Sequence, residues 1–146
     1  MARVVYDTSI FISYKPATFP AGFLMSAVVL QELTAGANDK SDVQKWGASR
    51  RAHEKAGTLL VPNGEDWWPA GKILNALLRG LKSQSGGQTP KLPYQEKQRI
   101  IRDVLIARTV HRAGALLVTN NLDDFRKIRR FCSVRISAGK EFFSRA

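Results

Sequence analysis

Short apolar runs of strand length alternate along the chain with longer stretches of helical period, and that alternation leaves few folds open. Val4-Val5-Tyr6, Phe23-Leu24-Met25, Thr58-Leu59-Leu60-Val61, Leu116-Leu117-Val118-Thr119 and Ser133-Val134-Arg135-Ile136-Ser137 read as five strands. Continuous apolar runs suit strands covered on both faces, whereas the alternating fifth run suits an edge with one wet face. Helical periodicity marks residues 39–56, a stretch opening at Glu65 and Asp66, and a long segment from Tyr94 to Arg112. Strands separated by helices call for a parallel sheet with right-handed connections, here one α/β domain over residues 1–146. Ser83 to Pro93, rich in Gly, Ser and Pro, is expected to be a flexible loop, with Lys82 and Lys91 within reach of a substrate. The tail from Glu141 to Ala146 is expected to add a turn of helix that packs Phe142 and Phe143.

Four acids stand where such a fold does not want them. Asp7 follows the first strand directly, at the strand tip where open α/β sheets bind their ligands, and Thr8 or Ser9 is expected to begin the next helix. An acid so close to the core needs a partner such as a cation, unless it caps the helix with its own side chain. Ser26 is a suitable N-cap for a helix ended by Gly36, in which Val28, Glu32 and Ala35 share one face. In the long helix Ile100, Asp103, Ala107 and Val110 form one stripe, so Asp103 occupies a core position; a salt bridge to Arg99 is the simpler account of it. Asn121 and Asp124 follow the fourth strand. Four converging carboxylates repel one another, and hard divalent cations such as Mg²⁺ or Mn²⁺ resolve that repulsion. No His and Cys cluster has zinc spacing; His53 and His111 are isolated, and Cys132 beside Phe131 and Val134 reads as a buried inert thiol.

Charge supplies the partner class. Lys and Arg number 23 against 12 acids, a net +11 that suits a polyanion, although solubility or an acidic protein partner would also account for it. An acidic metal site inside so basic a chain points to a metal-dependent nuclease. Trp67 and Trp68 read as core and interface residues rather than base-stacking platforms. A single cysteine, no apolar stretch near the roughly 20 residues of a membrane span, and a strand directly after Met1-Ala2-Arg3 lead to the expectation of a cytoplasmic protein without a signal peptide.

Val5-Tyr6-Asp7-Thr8-Ser9, Ser26-Ala27-Val28-Val29-Leu30-Gln31-Glu32-Leu33 with Gly36, Asp103-Val104-Leu105-Ile106-Ala107, and Val118-Thr119-Asn120-Asn121 with Asp124-Phe125 resemble, in order, the motifs of PIN-domain ribonucleases. They are most similar to those of the VapC toxins of toxin–antitoxin pairs. The resemblance implies a three-layer α/β/α domain with a mainly parallel five-stranded sheet. It also implies an endoribonuclease that uses Mg²⁺ or Mn²⁺ on tRNA, rRNA or mRNA, is often homodimeric, and is inhibited by a VapB-like antitoxin. Asp7, Glu32 and Asp103 match the three principal acids of the family. The fourth falls at Asn121 or Asp124, and since only Asp124 is charged it is taken as the carboxylate, with Asn121 acting as a polar ligand or through water. Ser9 and Thr119 are placed to orient carboxylates or metal-bound waters. Two other functions remain in view: a non-catalytic RNA-binding module, and a phosphatase with an Asp nucleophile, whose second acid two residues on is replaced here by Ser9.

Overall fold

A computed structural model describes residues 3–88 and 92–145. The chain runs β1 (Val4–Tyr6), α1 (Thr8–Ser13), a short 3₁₀ turn (Pro16–Thr18), β2 (Met25–Ser26), α2 (Ala27–Ala35), α3 (Lys40–Ala56) and β3 (Leu59–Leu60). It continues through α4 (Gly64–Gln84), α5 (Tyr94–Arg112), β4 (Leu116–Thr119), α6 (Leu122–Arg129), β5 (Arg135–Ala138) and α7 (Gly139–Ser144). Ser83 and Gln84 of the expected flexible loop belong to α4, while Lys91 lies outside the described residues. Among the described residues no helix is long and apolar enough to cross a membrane.

The expected single five-stranded sheet is instead two parallel ladders. β1, β4 and β5 form one in the order β1-β4-β5, and β2 and β3 form the other. A lone bridge from Val5 to Leu24 joins them, with the Leu24 amide donating to the Val4 carbonyl at 2.9 Å. The second ladder is short for local reasons. Ser26 caps α2 through its hydroxyl, which accepts from the Val29 amide at 3.3 Å, so β2 turns into helix at once. Pro62 follows β3 and has no amide to extend a ladder.

Alternation along the strands creates three layers. Val5, Leu117 and Ile136 face α2, α4, α5 and α6, packing with Val29, Ile73, Leu105 and Phe125. Val4, Tyr6, Leu116 and Val118 face the other way, onto Ile10 of α1, Phe19, and Phe142 and Phe143 of α7. Tyr6 lies at the centre of an aromatic group, 4.4 Å from Phe19, 5.3 Å from Phe23 and 6.0 Å from Phe143 between ring centroids. Burial there raises its phenol pKa to about 12. The expected helical tail is thus present, and it closes this second layer.

Neither tryptophan lies in the core of the chain: Trp67 and Trp68 are 56% and 74% exposed. The buried stripe of α4 runs instead through Asp66, Ala70 and Ile73. Asp66, only 1% exposed, is held by two arginines of α5. Arg112 bonds one carboxylate oxygen and Arg108 lies 3.5 Å from the other. The same oxygen that meets Arg112 accepts the Asn63 amide at 3.0 Å, closing a capping box at the start of α4. Arg108 and Arg112 also donate to the carbonyls of Glu65 and Val61, at 2.7 and 3.0 Å. Removing one member of such a group leaves buried charge without compensation. Asp66→Ala is therefore expected to lower stability in urea unfolding by about 3–5 kcal/mol. Asp123→Ala, at a side chain 92% exposed, is expected to change it by less than about 0.5 kcal/mol.

Candidate active site

β1 and β4 pair in parallel with Tyr6 opposite Val118, so the segments leaving their carboxyl ends are neighbours. The Asp7 amide donates to the Val118 carbonyl at 3.1 Å, carrying the ladder one residue past β1. α1 begins at Thr8, as expected, and Asp7 caps it: its Oδ1 accepts from the Ser9 amide at 2.6 Å and from the Ser9 hydroxyl. Capping and placement at the strand tip are therefore one arrangement. Oδ2 accepts from the Thr119 hydroxyl at 2.5 Å. The two hydroxyls in turn accept backbone amides from the next loop, Asn120 to Ser9 at 3.0 Å and Asn121 to Thr119 at 2.9 Å. Asp7 is 3% exposed, and its burial raises its pKa against the lowering effect of these hydrogen bonds. The Asn120 side chain donates to Ser13 at 3.1 Å, close against Gly139, where an added Cβ would stand 2.6 Å from the Asn120 oxygen and from Ile10. Any side chain at position 139 would force the Asn120 and Ile10 side chains to shift.

Three further carboxylates, Glu32, Asp103 and Asp124, join Asp7 in one electrostatic group centred on Asp103. Glu32 projects from α2, with its carboxylate 3.7 Å from Nε of Arg102. Burial raises the Glu32 pKa and Asp7 adds to the rise, whereas Arg102 and the Thr8 hydroxyl lower it. Asp124 sits in the first turn of α6, where the helix dipole favours an acid, and accepts from Nη1 of Arg99 at 2.6 Å. Asp103 on α5 has its pKa pushed up to about 8, by burial first and then by the charges of Asp7, Glu32 and Asp124, with Arg99 opposing. Asp103 thus feels all three of the other acids. The simpler account of it, a salt bridge to Arg99, does not describe the structure: Arg99 bonds Asp124 and, at 2.7 Å, Glu96. Asn121 is exposed, and its side chain makes no capping hydrogen bond.

The arrangement is coupled electrostatically without forming a tight ligand cluster. Among the described residues, no three Asp, Glu, His or Cys side chains are gathered closely enough to hold one metal ion as they stand. Arg99 pairs with Asp124, Arg102 lies 3.7 Å from Glu32, and hydroxyls hold Asp7. The donor set nevertheless fits a hard divalent cation: every group is a carboxylate, and their mutual repulsion is the force such an ion relieves. Beside the acids a groove of about 490 Å³ opens between α4, α5 and α6, lined by Leu81, Ile100 and Phe131 together with Arg99, Lys127 and Arg130. A second groove, between His111, Arg129 and Arg135 at the amino ends of β4 and β5, contains no acid.

His53 makes a structural contact, with Nδ1 2.7 Å from the Thr58 hydroxyl. Cys132 is half-buried, and burial raises its thiol pKa, which disfavours the nucleophilic thiolate. The residues that sequence reasoning missed are Arg102, the counter-charge of Glu32, and Thr8, whose hydroxyl also lowers the Glu32 pKa. Arg102 directly precedes Asp103, but nothing in its spacing marks Glu32 as its partner.

Fold and site together define a three-layer α/β/α domain with acids gathered at the carboxyl edge of a parallel sheet. Similar chains occur in DNA-bound VapBC from Salmonella typhimurium, with a TM-score of 0.53, 21% identity, and coverage of 94% of this chain and 98% of that one. They also occur in FitAB bound to an IR36 DNA fragment, with a TM-score of 0.51, 14% identity, and coverage of 93% and 94%. No protein-family model and no curated protein matches the sequence. The fold of this chain is the one shared by those chains of the VapBC and FitAB complexes.

The raised Asp103 pKa has a consequence for stability. Its folded-state value of about 8 exceeds the ordinary 3.8, so between these values the folded protein retains a proton that the unfolded chain has released. The stability from that proton is full below the lower value and is lost as pH rises through the upper one. Without divalent metal, Asp103→Asn is expected to raise Tm by roughly 3–10 °C at about pH 9, and by little near pH 4, in paired thermal melts.

Proposed function

We propose that this chain is a metal-dependent endoribonuclease and the toxin of a VapBC-type pair. The observation that carries the reading is the convergence of charge on Asp103 from Asp7, Glu32 and Asp124 at the carboxyl edge of β1 and β4. Asp7, Glu32, Asp103 and Asp124 are assigned as the residues that hold Mg²⁺ or Mn²⁺, with Asn121 contributing through water. When bound, such an ion polarises the scissile phosphate and lowers the pKa of a coordinated water. The chain's own residues provide the frame. Ser9 and Thr119 keep both Asp7 oxygens aimed by hydrogen bonds, so that carboxylate needs no reorientation. Asp103 holds a proton in the metal-free protein, and that proton must leave for its carboxylate to bind a cation.

The net charge of +11 supports an RNA substrate, drawn in through its phosphates with an affinity that falls as salt rises. Lys127 and Arg130 line the groove that leads to the acids, on the path a phosphodiester backbone would follow. The structural likeness to chains of VapBC and FitAB complexes supports a VapB-like antitoxin as the protein partner; a homodimer is proposed as the working state.

Asp7→Asn and Asp103→Asn are each expected to lower Mn²⁺-supported cleavage of purified tRNA, rRNA or mRNA at least about 100-fold, the scale of losing a transition-state stabiliser. EDTA is expected to abolish cleavage, and circular dichroism to show that both variants remain folded. Full cleavage by either variant overturns the site. RNA binding by the parent chain without cleavage under Mg²⁺ or Mn²⁺ instead establishes the non-catalytic module.

A further inference from the structure

The two arginine systems on α5 differ in a way that suggests different work. Arg108 and Arg112, 28% and 43% exposed, meet an acid that is only 1% exposed. Arg99 meets Asp124 at an open edge, with side chains 45% and 29% exposed. An ion pair this exposed contributes little to stability and exchanges readily. Its guanidinium is also shared: Nη1 bonds Asp124 across 25 residues, while Nη2 bonds Glu96, three residues earlier on the same helix. The Glu96 bond is local to α5 and survives if Asp124 turns away.

We propose that Arg99 is a displaceable counter-ion of this site: in the metal-free protein it occupies Asp124, and once Asp124 engages a divalent cation the released guanidinium takes a backbone phosphate of the bound RNA. The inference rests on the assignment of Asp124 to the metal site. Arg99 and Arg102 are the guanidiniums paired with the outer acids, and both pairs are ones a doubly charged ion can displace. Arg99 lines the groove together with Lys127 and Arg130 and with the acids Glu96, Asp103 and Asp124, so after release it stands with two other cations at the edge of the acidic site. Its planar fork suits bidentate contact with phosphate. Arg99 is thus a positioning residue that acts through Asp124 and then through the substrate backbone.

Calorimetric titration of the full chain with Mn²⁺, paired with binding of an RNA oligonucleotide whose bridging 3′ oxygens are replaced by methylene, which leaves no scissile P–O3′ bond, tests this. Arg99→Gln is expected to bind Mn²⁺ roughly two- to fivefold more tightly, the range of an exposed ion pair, with Arg99→Lys intermediate. Arg99→Gln is expected to weaken oligonucleotide binding several-fold with Mn²⁺ present and little without it. Lys97→Gln removes the same charge from the same helix and is expected to leave Mn²⁺ affinity unchanged. If Arg99→Gln binds Mn²⁺ no more tightly than the parent, or if Lys97→Gln tightens it equally, the displacement is wrong and only a diffuse charge effect is present. Asp103→Asn separates this from the underlying assignment. Loss of Mn²⁺ binding in Asp103→Asn with parental binding in Arg99→Gln overturns the displacement alone. Unchanged Mn²⁺ binding in Asp103→Asn overturns the metal site, and the displacement with it.

Discussion

Four carboxylates crowded at the carboxyl edge of one parallel strand pair are the constraint on which the rest of this structure turns. Each has a different neutralising neighbour. Asp7 has two hydroxyls and a backbone amide, Glu32 has Arg102, Asp124 has Arg99, and Asp103 retains its proton to about pH 8. The order of compensation follows burial and geometry. Asp7 is the most enclosed acid, is fixed by groups that cannot leave, and caps α1 at the same time. The outer acids are paired with flexible, partly exposed arginines. Asp103 is buried among the other three, and burial first, then their charges, holds its proton in place.

Asp66 shows how the same chain handles a charge whose task is structural. It is as buried as Asp7, yet both of its oxygens face arginines, and a capping box fixes its backbone. It ties the start of α4 to the end of α5, and those helices wall the groove beside the acids. A closed ion pair and an open acidic edge are built from the same residue types on the same helix. Solvent access and the availability of a fixed partner distinguish them.

Much of this was legible in the sequence where the signal is local. The bounds of β4 and α5, the Ser26 cap and the Gly36 stop all depend on neighbouring residues, and each is found where expected. Asp103 stood out because a charge interrupted an apolar stripe, and the structure surrounds it with acids rather than with the single arginine that would have made it ordinary. What could not be read depends on distant contacts. Trp67 belongs beside the buried stripe of α4 rather than on it, because Asp66 takes the inner position, and only arginines some forty residues later make that position tolerable. The packing of Tyr6 on Phe143 spans nearly the whole chain. The sheet divided into two ladders because a cap and a proline cut β2 and β3 short, a competition that apolar patterning does not register.

On the proposed reading, the contrast between exterior and centre couples binding to chemistry. A net charge of +11 attracts a phosphodiester backbone from a distance, but the acids at the strand tips repel each phosphate that comes near. A divalent cation reverses the sign of the local field at the point where the backbone must be cut. If that ion also releases Arg99 from Asp124, one event supplies two changes of the same sense: negative charge is neutralised at the acids, and a guanidinium becomes available at the groove. Productive seating of the polyanion then depends on prior occupation of the acids. A basic surface without such an acidic centre would bind RNA equally well with or without the metal.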